Sequence, residues 1–208
     1  MDKFTSLTSL AAPLLENAID TDIIFPARFL LLLDREGLGK HAFNEWRGPG
    51  FVLDTPPYDK AQILVTGENF GTGSSREQAV WTLADLGIRC VIARSFGEIF
   101  YSNCFKNGVL PIRLTGTEME AVESAAEAQT PLTVDLESKT VSLPDGQVIP
   151  FDIADHHRRA LLAGLDEVGM ILADHSQTIA EFEERRRTAT PWLDLSQDKL
   201  DALAEDGA

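Results

Sequence analysis

The residues best suited to chemistry lie in one glycine-rich stretch, Gly67-Glu-Asn-Phe-Gly-Thr-Gly-Ser-Ser-Arg-Glu77. Gly71 and Gly73 let the backbone come close to a ligand. A helix is predicted to follow, and its free N–H groups and positive dipole end would face back onto the loop. Ser74 and Ser75 stand where helix caps are favoured. Arg76 adds a planar guanidinium that can hold a carboxylate through two hydrogen bonds. Together these describe a pocket for a carboxylate or other oxyanion with a hydroxyl beside it. Spacing alone equally allows a capped helix after a tight turn, with Arg76 in a surface ion pair. Phosphate-loop and dinucleotide patterns both fail, because no Lys follows the last glycine and the glycine order is G-x-x-x-G-x-G.

A second cluster is Asp20-Thr-Asp22-Ile-Ile-Phe-Pro-Ala-Arg28. Its two carboxylates could take a metal, or cap a turn and pair with Arg28. A third, Ser95 to Gly108, holds aromatics that suit a core and ends in Asn107-Gly108, a helix stop. His41, His156, His157 and His175 show no ligand spacing. Cys90 and Cys104 are too few for the three or four thiolates of an iron–sulfur cluster, and read as free buried thiols of a cytoplasmic protein.

The elements that must position these clusters alternate in type. Strands are predicted over 61–66, 90–93 and 109–112, with helices over 75–86 and 97–106 between them, the pattern of an α/β layer with parallel pairing. A helix over 117–129 leads to short strands at 132–136, 140–143 and 147–151, the last two joined by a Pro144-Asp-Gly146 turn. Helices are expected over 152–165 and 176–188. The stretch 26–60 is broken by Pro and Gly yet rich in Phe, Leu and Trp, which suits an ordered loop against something apolar.

Acidic residues outnumber basic ones, 33 to 18, for a formal net charge of −15. Such a balance disfavours nucleic acid and anionic membranes as partners. Any anionic substrate must be met by a few local cations. No apolar run reaches the ~18 residues of a membrane span, and the N-terminal residues lack the compact apolar region of a signal peptide.

In order and spacing, the three clusters resemble the swivelling domain of the aconitase superfamily. Asn17 to Leu30 looks like the family's N-x-D-T-D-x-I-x-P-x-x-F-L, Gly67 to Ala79 like G-x-N-F-G-x-G-S-S-R-E-H-A, and Ile99 to Ile112 like I-F-x-N-N-x-x-N-G-x-L-P-I. Phe151-Asp-Ile and Gly164-Leu-Asp-Glu-Val-Gly169 match as well. Asn44-Glu-Trp-Arg47 and Phe105-Lys-Asn-Gly108 are most similar to the isopropylmalate type, in which this domain is a separate small subunit.

The resemblance implies an α/β fold, the aconitase-type swivelling β/β/α domain with a mixed sheet flanked by helices, over residues 1–188. A flexible acidic tail is expected over 189–208. It also implies a hydro-lyase that moves a hydroxyl between adjacent carbons of 2- and 3-isopropylmalate in leucine biosynthesis. The partner would be a large subunit bearing a [4Fe–4S] cluster, whose open iron binds the substrate hydroxyl and a carboxylate as a Lewis acid; no cofactor is expected in this chain. Alone, the chain would be inactive and would self-associate through its uncovered interface.

Carried over by motif, Ser74 is the catalytic base. Ser75 and Arg76 contact substrate carboxylate, with Arg47 as a second cation and Arg28, Phe29 and Leu30 beside the substrate. Asn69, Gly71, Gly73, Asp20 and Asp22 support the loop. Two alternatives stay open: a small subunit acting on another hydroxy-dicarboxylate (citraconate, dimethylmaleate or aconitate type), and a non-catalytic regulatory swivel domain. Gln78 stands where the family has His, and His156-His157 where it has Pro-Phe or Ala-Phe, so the substrate is the least fixed part of this reading.

Overall fold

Seven strands form one sheet in the order β4 (Leu110–Arg113), β3 (Cys90–Ala93), β2 (Ile63–Thr66), β1 (Ser6–Leu14), β5 (Pro131–Asp135), β6 (Thr140–Ser142) and β7 (Val148–Pro150), in a computed structural model that describes residues 1–32 and 34–193. Leu33 and the expected tail from residue 194 onward lie outside the described residues. The chain divides into two compact units, Met1–Asp166 and Glu167–Ala208. The sheet belongs to the first.

The parallel half is built as the sequence predicts. Strands β2 (Ile63–Thr66), β3 (Cys90–Ala93) and β4 (Leu110–Arg113) pair in parallel, joined by helices α2 (Glu77–Asp85) and α3 (Glu98–Lys106). Every residue of β2 and β3 is buried, as expected of strands covered on both faces. Their side chains alternate between two cores. Ile63, Val65, Cys90 and Ile92 pack with Met119 and Val122 of helix α4 (Gly116–Glu127) on one face. Leu64 and Val91 pack with Val80 and Leu83 of α2 on the other. Cys90 and Cys104 are unjoined and buried, and burial raises the pKa of both thiols.

The antiparallel half, β5 (Pro131–Asp135), β6 (Thr140–Ser142) and β7 (Val148–Pro150), also falls where expected. The strand that joins the halves has no counterpart among the predicted ones. β1 (Ser6–Leu14) runs through the middle of the sheet: Ala11–Leu14 pair in parallel with β2, and Ser6–Leu10 pair antiparallel with β5. It makes one mixed sheet from two pieces.

The described residues of this stretch, 26–32 and 34–60, form an ordered loop, as its composition implies. It contains four single 3-10 turns, and it lays Leu38, Ala42, Phe43, Phe51 and Leu53 onto the α2 face of the sheet. Helix α5 (Asp155–Ala163) closes the first unit and ends at Gly164, whose positive φ terminates the helix. In the second unit, helix α6 (Glu167–Ala189) starts nine residues before the predicted 176.

Candidate active site

The three sequence clusters converge at the C-terminal ends of β1, β2 and β3, where parallel sheets present their ligand sites. The loop after β2 is held like a short strand between the other two segments. On one side Ala18 N–H donates to Glu68 O (2.7 Å), Gly71 N–H to Ile19 O (2.8 Å) and Thr21 N–H to Thr72 O (2.9 Å). On the other, Phe70 N–H donates to Ser95 O (3.1 Å) and Gly97 N–H to Phe70 O (2.9 Å). Asn69 is anchored through its own N–H to Ser95 Oγ at 2.8 Å and takes a positive φ. Beneath the loop, Phe70, Phe96 and Phe100 form an aromatic floor with centroids 5.3 to 6.4 Å apart. The aromatics of the third cluster are therefore core, as their type suggests.

On this scaffold Gly73, Ser74 and Ser75 are exposed. The serines do not cap α2, contrary to the sequence expectation. Arg76 holds the N-cap position, with extended backbone and no side-chain cap bond, and its N–H bonds Ser74 O at 2.8 Å. The cause is the turn between Ser74 and Arg76, which delays the helix to Glu77 and leaves the Ser74 hydroxyl free for another partner. That partner is Thr21. Its Oγ1 lies 3.2 Å from Ser74 Oγ and 3.2 Å from Ser74 O, and its side chain is almost wholly buried. Motif reasoning does not single out Thr21; the one signal in the sequence is its place between two carboxylates, Asp20 and Asp22. Thr21→Val keeps the shape and removes the hydroxyl. It is expected to lower kcat about 10-fold while stability changes by about 1 kcal/mol, read by steady-state turnover beside thermal melting; unchanged turnover would leave Thr21 a packing residue.

Both aspartates hold the site and neither points to a metal. Asp20 caps the short helix α1 (Thr21–Ile24), accepting Ile23 N–H at 2.7 Å. Asp22 forms an ion pair with Arg76, not with Arg28. Arg28 pairs instead with Glu45 and lies over the Phe29 ring at 4.6 Å. Phe29 stacks on His41 at 4.1 Å, and Leu30 is half-buried near it against the same core. Burial, then Lys40, Arg28 and Arg47, lower the pKa of His41, which favours its neutral form.

Arg47 does not join the Ser74 cluster. Its guanidinium donates to Gly39 O (3.2 Å) and Lys40 O (3.3 Å) and pairs with Asp54 at 3.5 Å, so it braces the 39–54 loop. Gln78 lies in the first turn of α2, where its backbone carbonyl accepts the Thr82 hydroxyl at 2.8 Å. This chain's own donors do not fit an iron–sulfur cluster: among the described residues no three His, Cys, Asp or Glu side chains group as metal ligands, and both thiols are buried and held protonated.

A mixed sheet flanked by helices, with a serine–serine–arginine loop at the mouth of its parallel half, defines the swivelling domain of aconitase-type hydro-lyases. The family model of the aconitase C-terminal domain matches residues 1–117. A model described as LeuD_N matches 119–155, and one for the C-terminal domain of the 3-isopropylmalate dehydratase small subunit matches 174–196. Curated proteins named 3-isopropylmalate dehydratase small subunit from Dinoroseobacter shibae and Parvibaculum lavamentivorans are each 50% identical over 202 residues, covering 93% of this chain and 100% of theirs. That from Brucella canis is 48% identical over 201 residues, covering 92% and 100%. A crystal structure of 3-isopropylmalate dehydratase from Methanocaldococcus jannaschii superposes with a TM-score of 0.65 at 26% identity, covering 86% of this chain and 99% of that one. The chain belongs to the family of 3-isopropylmalate dehydratase small subunits. Small subunits of this family act in a heteromer with a large subunit, which carries the cluster.

Proposed function

We propose that this chain is the small subunit of a two-chain hydro-lyase that interconverts 2- and 3-isopropylmalate by dehydration and rehydration, in leucine biosynthesis. The observation that carries the reading is an exposed Ser74 whose hydroxyl meets Thr21, two residues before an Arg76 paired with Asp22, at the mouth of the parallel strands, in a chain about 50% identical to named small subunits over their whole length. No helix among the described residues is long and apolar enough to cross a membrane. Two unjoined, buried thiols are in keeping with a cytoplasmic location.

In this reading Ser74 Oγ takes the proton on the carbon next to a carboxylate as the hydroxyl leaves the adjacent carbon. It returns that proton when water adds back with the opposite orientation. A serine is a weak base, so its anion needs donors already in place. The Thr21 hydroxyl, 3.2 Å from Ser74 Oγ, can serve as such a donor. Arg76 receives a substrate carboxylate, with Ser75 beside it and Asp22 holding the guanidinium in position until substrate arrives. Phe29 and Leu30, half-buried and next to exposed Leu31, supply apolar surface for the isopropyl group, and Arg28 a neighbouring cation. Arg47 enters only as the brace of the loop behind them.

The fork geometry of Arg76 makes Arg76→Lys a sharp probe. A point charge in place of two parallel N–H donors is expected to raise KM about 10-fold or more with a smaller change in kcat. Equal losses in both would move Arg76 from substrate binding to transition-state work. The reading as a whole is tested by anaerobic reconstitution with a cognate large subunit, assayed on isopropylmalate, citraconate and other C4 to C6 hydroxy-acids. Best turnover on isopropylmalate upholds it; preference for another acid keeps the reaction and removes the substrate; a loaded, stable and inactive complex leaves a regulatory subunit.

A further inference from the structure

Helix α6 carries an apolar seam that the Ser74 site does not use. Each helical residue advances about 100°, so Val168, Ile171, Leu172, His175, Ile179 and Phe182 fall within an arc of about 100°. Val168, Ile171, Leu172 and Phe182 are each more than half exposed, and no residue of the helix is buried. A 23-residue helix in water draws most of its stability from packing such a face.

We propose that this seam docks into an apolar groove on the large subunit, as an anchor separate from the contact around Ser74. The inference rests on the heteromeric reading above. Three observations select this occupant. The aconitase domain model ends at residue 117, whereas the model matching 174–196, which begins inside α6, is specific to dehydratase small subunits. A helix kept as a feature of small subunits suits the task of holding a separate chain. The seam also offers on the order of 400 Å², about half of one side of a standard interface, so it suits an addition to a larger contact more than a dimer of its own. Charge points the same way. Glu167 and Glu183 flank the seam, and no Lys or Arg of the helix precedes Arg185, so a second copy would set acid against acid. The groove is accordingly expected to be rimmed by Lys and Arg.

The test compares the full chain carrying Ile171→Asp and Phe182→Asp with a control carrying Ala173→Asp and Ala180→Asp, which lie on the opposite side of the helix. Affinity for the cognate large subunit is measured by titration calorimetry, melting and sedimentation on the isolated chain, and turnover at saturating large subunit. The seam variant is expected to bind at least about 30-fold more weakly. Its melting and sedimentation should match wild type, its kcat should recover at saturation, and the control should bind normally. Wild-type affinity of the seam variant overturns the proposal. So does a lowered melting temperature confined to the seam variant, which would place the seam against its own chain, or a loss of self-association with affinity intact, which would make it a homotypic contact. A wild-type chain that does not bind the large subunit at all removes the heteromeric reading itself, and is distinguished by needing no variant.

Discussion

Ser74→Ala, reconstituted with the large subunit, is expected to assemble normally and to lose about 10³-fold or more in kcat, with KM changed only a few-fold. Removing a general base costs about 10² to 10⁴ in rate, and three features of the site place the effect at the upper end. The hydroxyl is exposed at the loop crest while the loop backbone is pinned from both sides, so the side chain can be deleted without moving the scaffold. Thr21 is the side chain bonded to Ser74 Oγ, and its hydroxyl has a second acceptor in Ser74 O, so the mutation leaves no buried group unpaired. Ser75 stands one residue away, yet in the variant the Thr21 hydroxyl still donates to the carbonyl of residue 74, so Ser75 is a poor replacement. The measurement is steady-state turnover in both directions, with complex formation checked by gel filtration. Turnover within about 5-fold of wild type would remove Ser74 as the base.

Gly71→Ala is the strongest structural lesion the site offers. Gly71 has φ +70°, and a Cβ built there would lie 2.1 Å from Phe100 Cγ and 2.5 Å from its Cδ1 and Cδ2. Phe100 cannot retreat: it is 2% exposed, edge-on to Phe70 and stacked with Phe96. Strain of the left-handed backbone, about 1 kcal/mol, adds to overpacking of about 1 to 3 kcal/mol. A loss of about 3 kcal/mol is therefore expected, and with it the register of the Ser74 loop. Gly48→Ala is the matched control, since a Cβ there meets nothing within 4 Å; it should change stability by less than about 1 kcal/mol. Urea unfolding of both variants decides the matter, and a Gly71→Ala chain as stable as the control would mean the aromatic floor yields.

Much of this architecture is legible in the order of residues. The strands β2, β3 and β4 and the helices between them are local periodicities, which place each element to within two residues at either end. The glycines of the loop announce unusual backbone, and Gly71 and Gly73 do take positive φ. Resemblance of motifs then supplies the family, because catalytic loops are kept as contiguous strings. What the string does not determine is which distant groups meet. β1 escapes notice because its first half, Ser6-Leu-Thr-Ser-Leu10, breaks strict alternation and pairs antiparallel with β5, while its second half, Ala11 to Leu14, is mostly buried against a parallel neighbour. Neither strand pattern runs its full length, and only its place between the two halves of the sheet makes it a strand. The partners of the charged side chains are hidden for the same reason. Arg76 finds Asp22 across 54 residues, Thr21 finds Ser74 across 53, and Arg47 is taken by the carbonyls of a loop whose path depends on apolar residues settling onto the sheet. The motif strings determined the family and, through it, the reaction to expect; the long-range packing of the loop on the sheet decided which side chains stand together at the candidate site, because hydrogen bonds and ion pairs form only between groups that the buried core has already brought together.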